Sequence, residues 1–142
     1  MVAKIIALDI GEKRIGTAVS DALGMLAHPL KTIVWKGYNR FVGELKELIA
    51  EQEAVAIVIG MPYTLKGTVS KKTEEVQKLA EQLRASLDME IIEEDERLTT
   101  KMAQDALHAV GKKPSRQRNK IDQIAAVYIL QAYLDRTQKI KE

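Results

Sequence analysis

The chain predicts an α/β fold, a mixed sheet with helices on both faces and the element order βββαβαβαα. Two apolar runs, Ile5–Ile10 and Ala54–Gly60, are too short and too β-branched for helices and read as strands buried on both faces. Stretches with apolar residues three and four apart alternate with the later strands, and a strand–helix–strand passage of that length implies a parallel crossover. At 142 residues the chain predicts one domain over 1–142, long enough to bury roughly 70% of its unfolded surface.

In the first strand, Asp9 shares a side with Ile5 and Ala7, while Ile6, Leu8 and Ile10 face the other way. Gly11 suits a close backbone approach, Glu12 and Lys13 make the turn, and Arg14–Ser20 returns as the antiparallel partner. A loop around Gly24 leads to a third strand, His28–Lys36, with Pro29 at its start where the missing N–H is tolerated. Gly37 ends it. Asn39 is the expected cap of a helix that runs through Gln52 on Phe41, Leu45, Leu48 and Ile49.

After Ala54–Gly60, the Pro and Gly of Met61–Gly67 mark a loop. Thr68 or Ser70 then caps a helix whose inner face carries Val76, Leu79, Ala80, Leu83 and Leu87. Met89–Glu94 is a short fifth strand. Thr99 or Thr100 caps a helix that buries Met102, Ala106, Leu107 and Val110; Gly111 stops it and Pro114 prevents its resumption. The last helix, from about Arg118 to Arg136, aligns Ile121, Ile124, Ala125, Tyr128 and Ala132. No repeat, linker or low-complexity tract interrupts this order.

Composition removes several classes. Without cysteine there are no disulfides and no thiolate-bound zinc or iron–sulfur centres. No apolar run reaches membrane length and the N-terminal stretch is broken by Asp9, so the expectation is a cytoplasmic protein with no membrane partner. The P-loop signature is missing, no serine sits in a nucleophile elbow, and His28 and His108 lie too far apart for a local metal motif. The net charge of +2 decides nothing, but its distribution does. Glu90–Glu96 holds five acids, and Lys112–Lys120 holds five bases with no acid. An acidic cluster beside a basic segment fits a metal-dependent site acting on a polyanion.

The acids carry the chemistry. A buried, unpaired Asp9 would cost several kcal/mol or be neutralised, so Asp9 is paired with a cation, bound to a metal, or caps its own turn. Asp95 and Glu96 fall where the fifth strand leaves the sheet, at the kind of edge that lines the active crevice in sheets of this type. Asp122 borders the buried stripe of the last helix. Its bland role is a first-turn acid that favours the helix dipole. The sharper expectation is that Asp9, an acid from Asp95 and Glu96, and Asp122 converge on divalent metal, with Mg²⁺ or Mn²⁺ suited to carboxylates and open water positions. Two such ions, about 3.5–4 Å apart, would activate water and stabilise the leaving oxygen in phosphodiester hydrolysis. Lys112, Lys113, Arg116, Arg118 and Lys120 would hold the nucleic-acid backbone, and Arg14 and Arg97 are counted with them. Arg97 is equally suited to steadying a carboxylate.

The segments LDIGEKRIGTAVSD, VIGMP with KGT, DERLTT and IDQIAAVYILQAYLD, in this order and spacing, resemble the YqgF/RuvX family, relatives of the RuvC Holliday-junction resolvases. The resemblance spans about Ile5 to Asp135. It implies an RNase H-like fold, a five-stranded mixed sheet with the first three strands antiparallel. It also implies a nuclease that processes the 5′ end of precursor small-subunit ribosomal RNA, with pre-rRNA ahead of branched DNA as partner and a monomer or weak homodimer as the working state. By position Asp9 matches the family's first-strand acid, Asp95 and Glu96 its DER segment, and Asp122 its final-helix acid. One departure stands out: RuvC-type resolvases place a glutamate at the end of the fourth strand, where this chain has Gly60-Met61-Pro62. In the next loop, Thr64-Leu65-Lys66-Gly67 replaces a more usual Asn-bearing sequence. Other readings are a resolvase-like DNA endonuclease, a non-catalytic nucleic-acid-binding module, and an ATP-binding domain of the actin/sugar-kinase type. The last normally closes two domains around its nucleotide.

Overall fold

A computed structural model of the chain describes residues 3–97 and 118–141. The elements are β1 (Lys4–Ile10), β2 (Arg14–Ser20), β3 (Ala27–Val34), α1 (Tyr38–Gln52), β4 (Ala54–Met61), α2 (Lys71–Ser86), β5 (Glu90–Asp95) and α3 (Arg118–Lys141). The five strands form one sheet in the order β3-β2-β1-β4-β5. Pairing is antiparallel from β1 to β2 and β2 to β3, and parallel from β1 to β4 and β4 to β5. This is the mixed sheet expected, with its first three strands antiparallel.

Alternation along the strands sorts the core into two layers. Ile6, Leu8, Ile57 and Ile59 turn to the face covered by α1 and α2, where Phe41, Leu45, Val76 and Leu83 complete a cluster of large side chains. Ala7, Ala18 and Val58 turn to the other face, against Ala126, Ile129, Leu130 and Leu134 of α3. The alanines keep that surface low, so one helix can lie close across the middle strands. Residues Ile6, Ala7 and Leu8 are wholly buried, as a strand covered on both faces requires.

Buried polar groups repair the irregular places. The β2–β3 register shifts between Gly16 and Ala18. There the Thr17 hydroxyl donates to Lys31 O at 2.6 Å and accepts from Lys31 N at 2.9 Å, standing in for the missing ladder bonds. Ser20 Oγ likewise accepts from Ile5 N at 2.8 Å.

Several boundaries differ from expectation. The third strand is Ala27–Val34, not His28–Lys36, with Trp35 N adding one last bond across to Lys13 O at 2.8 Å. Asn39 is not the cap of α1. Gly37 takes that place with φ at 104°, a conformation open to glycine that turns the chain into the helix with no side-chain cap, so the helix starts at Tyr38. The fifth strand is displaced by one residue to Glu90–Asp95, and α3 runs on past Arg136 to Lys141. The helix expected from Thr99 or Thr100 to Val110 lies outside the described residues.

Of the two caps proposed for α2, Ser70 is the one used. Its hydroxyl accepts from Thr73 N at 3.2 Å, and Thr73 Oγ1 accepts from Ser70 N at 3.1 Å, a closed capping box. Ser70→Ala is therefore expected to destabilise the protein by about 1 kcal/mol in urea denaturation, whereas Thr68→Ala leaves the box intact.

Candidate active site

The two layers decide where the acids point. Asp9 lies opposite Gly16 of β2, and Gly16 lies opposite Thr32 of β3. On the other side Leu8 pairs with Ile59, so Gly60 comes abreast of Asp9, and Gly60 pairs with Glu94 of β5. This row crosses the sheet at the carboxyl ends of β1 and β4. By alternation with Ala7 and Val58, Asp9 and Gly60 face α3.

Beyond β5 the ladder continues for one more residue, because Glu96 N donates to Met61 O at 3.2 Å. That bond gives Glu96 the side of the sheet that Glu94 has, and its carboxyl folds back over Gly60. A Cβ on Gly60 would collide with Glu96 Oε2 and would sit 2.5 Å from Ile129 Cδ1 of α3. Only a residue without a side chain leaves this space. The carboxyl that fills it belongs to Glu96, which reaches hydrogen-bond contact with Asp9.

Two carboxyl groups in contact under a helix cannot both ionise freely. Burial, then the charge of Asp9 and the hydrogen bond to it, push the Glu96 carboxyl up to about 8, with Asp95 adding to the rise and Lys72 opposing it. At neutral pH the pair therefore holds a proton. Lys72 stands in the first turn of α2, half-buried, and its positive charge acts on Glu96.

Asp95 is placed differently. Arg97 Nε donates to its Oδ2 at 2.8 Å, Nη2 lies 2.6 Å from the same oxygen, and Arg97 N donates to Oδ1 at 3.0 Å. Burial raises the Asp95 carboxyl, but these bonds and the guanidinium charge outweigh it and hold the group below the usual carboxylate range. The two neighbours in the DER segment thus part company: Glu96 meets Asp9, and Asp95 meets Arg97.

Asp122 belongs to α3, one turn before the buried Ala125 and Ala126, and its side chain lies outside the described residues. The adjacent Gln123 donates from Nε2 to Thr32 Oγ1 at 3.4 Å, so this end of α3 overlies the same row as Asp9. Arg14 opens β2 opposite Val34, half-buried. Lys112, Lys113 and Arg116 lie outside the described residues, as do the side chains of Arg118 and Lys120. Among the described residues no three acids or histidines gather as a metal cluster.

Sequence reasoning missed Gly60 as the seat of the glutamate and Lys72 as its cationic neighbour. A signal for Lys72 was present: Lys71 and Lys72 open α2, where the helix dipole disfavours cations, so something other than the helix accounts for them. Glu96 titrates near 4.5 when unperturbed and near 8 in the fold, so the folded chain binds more protons between those values. Stability of the metal-free protein is then expected to fall as pH rises from about 4.5 to about 8, and Glu96→Gln to flatten that slope, as thermal melts across the range will show.

The chain matches the family model RuvX, described as Holliday junction resolvase, over residues 3–136. A relative from Syntrophus aciditrophicus is 42% identical over 132 residues, covering 93% of this chain and 88% of its own, and is named "Putative pre-16S rRNA nuclease". A relative of the same name from Acetivibrio thermocellus is 37% identical over 139 residues, 96% of this chain and 99% of its own. Among solved structures, Thermus thermophilus RuvC superposes with a TM-score of 0.50 at 16% identity, covering 95% of this chain and 96% of the other. The RNase H-like architecture is thereby shared. With a family match over nearly the whole length and relatives near 40% identity, this chain belongs to the RuvX family.

Proposed function

We propose that this protein is a metal-dependent nuclease that hydrolyses phosphodiester bonds and processes the 5′ end of precursor 16S rRNA in the cytoplasm. The observation that carries the reading is the contact between Asp9 of β1 and Glu96, one residue past β5, at the carboxyl ends of the parallel strands β1, β4 and β5. Membership of the RuvX family and the names of the relatives support the substrate class. No helix among the described residues is long and apolar enough to cross a membrane.

The donor set fits a divalent cation. Asp9 and Glu96 offer hard oxygen ligands, and a group of like charges that otherwise retains a proton is one where a divalent ion can take the proton's place. Asp9 and Glu96 would hold Mg²⁺ or Mn²⁺, with Asp122 joining them from α3. When bound, such an ion polarises a phosphoryl oxygen and lowers the pKa of coordinated water. The chain's own part is positional. Gly60 and Ile129 confine the Glu96 carboxyl, Lys72 adds positive charge that acts on Glu96, and Arg14, Arg97 and the basic segment from Lys112 to Lys120 offer phosphate contacts. Asp95 serves this site through Arg97.

The description of the family as a Holliday junction resolvase favours one alternative, cleavage of branched DNA. A 5′-extended 16S precursor and a four-way DNA junction, offered with Mg²⁺ or with EDTA, separate the two. Asp9→Asn should keep the fold and lower metal-dependent cleavage of the precursor at least about a hundredfold, and Glu96→Gln should follow it, whereas Asp95→Asn should retain most activity. A folded Asp9→Asn protein that cleaves normally refutes the assignment.

A further inference from the structure

The turn after β4 is built to hold one apolar side chain out in water. Thr64 N donates to Thr68 O at 3.0 Å, and Gly67 N donates to Thr64 O at 2.8 Å. The Thr64 hydroxyl accepts from Thr68 N at 3.1 Å and bonds the Thr68 hydroxyl at 2.6 Å. At the base, the fully buried Thr73 donates from its hydroxyl to Pro62 O at 2.7 Å. At the flank, Arg97 lies against Gly67: a Cβ there would come within 2.9 Å of Nη1, and φ is +82°. Asp95 grips the same guanidinium from its Nε and Nη2 side. The backbone is tied within, below and beside, yet Leu65 at the tip is 90% exposed.

We propose that the turn from Thr64 to Thr68 is a preformed finger that meets an unpaired nucleobase of the substrate. Leu65 is its apolar tip, and Asp95 is a positioning residue that acts through Arg97. The inference rests on the nuclease reading and narrows it to a substrate single-stranded near the cut. The turn leaves β4 next to Met61, whose carbonyl receives Glu96 N, so finger, Arg97 and acid pair share one ledge of the sheet. A phosphate offers nothing to a leucine. The flat face of a base does, because an apolar side chain can pack against it as a wedge and a guanidinium plane can stack on it. In a duplex those faces are covered by neighbouring pairs; in a single strand they are open. Lys66, exposed beside Leu65, is available to a flanking phosphate.

Fluorescence anisotropy of the full chain in EDTA, which prevents cleavage, tests this with a labelled single-stranded RNA and a blunt duplex of equal length. The parent is expected to bind the single strand more tightly. Leu65→Ala, at a site too exposed to matter for folding, should weaken single-strand binding about fivefold or more, with duplex binding and both salt slopes unchanged. Gly67→Ala, opposed by the positive φ and by Arg97, should show the same selective loss. Asp95→Ala should show it too, and Asp95→Asn, which keeps an acceptor for Arg97, should restore part of it. A purely structural Asp95 would lower stability without separating single strand from duplex. Equal single-strand affinity in parent and Leu65→Ala overturns the proposal and leaves the tip to a protein partner; an equal loss on duplex also overturns it. These readings need no cleavage, so they stand or fall apart from the Asp9→Asn result.

Discussion

Two carboxyl groups pressed together under a helix form the constraint on which this site depends. Asp9 and Glu96 repel when both are ionised, and Glu96 is withdrawn from the water that would screen them. Holding them in contact takes a frame stiffer than either side chain. Register between β1 and β4 brings Gly60 level with Asp9, and the bond from Glu96 N to Met61 O carries the pattern of β5 one residue past the strand. Ile129 closes the space from above. Each part comes from a different element, so the site exists only in the folded sheet.

The same frame explains the uneven division of the core. On the α1 and α2 face, branched and aromatic side chains set the separation between layers. On the α3 face, Ala7 and Ala18 reduce it, and the helix comes near enough for Ile129 to touch the strand at Gly60. A larger residue at either alanine would lift α3 and open the cover over the acids. Packing and chemistry are thus the same problem on that face.

Much of this was legible in the sequence. Ile5–Ile10 and Ala54–Gly60 read as doubly covered strands, and alternation already set Asp9 on the side of Ala7. Strand alternation also allowed at most one of Asp95 and Glu96 to point straight at Asp9. Which of them turned towards Asp9 was not legible, because it hangs on a single backbone bond beyond the end of β5. Gly60 read as a lost acid of the fourth strand; in space it is the room that another strand's acid occupies. Asn39 had the chemistry of a cap, but the positive φ of Gly37 had already turned the chain. Local signals identify residues able to do a job, while long-range register selects among them.

Among the described residues β3 and β5 form the two margins of the sheet, and each is unsuited to a further strand. β3 carries Pro29, which has no N–H to give a neighbour, and a register shift against β2 that disturbs the regular ladder. β5 is rich in acid, with Glu90, Glu93, Glu94 and Asp95 in six residues, and three of these pair with Arg84, Arg136 and Arg97. A second copy approaching β5 edge to edge would have to accommodate this row of charged side chains and their arginine partners. The acids that first mark this chain as a phosphate-handling protein thus also make its β5 margin a poor template for edge-to-edge pairing.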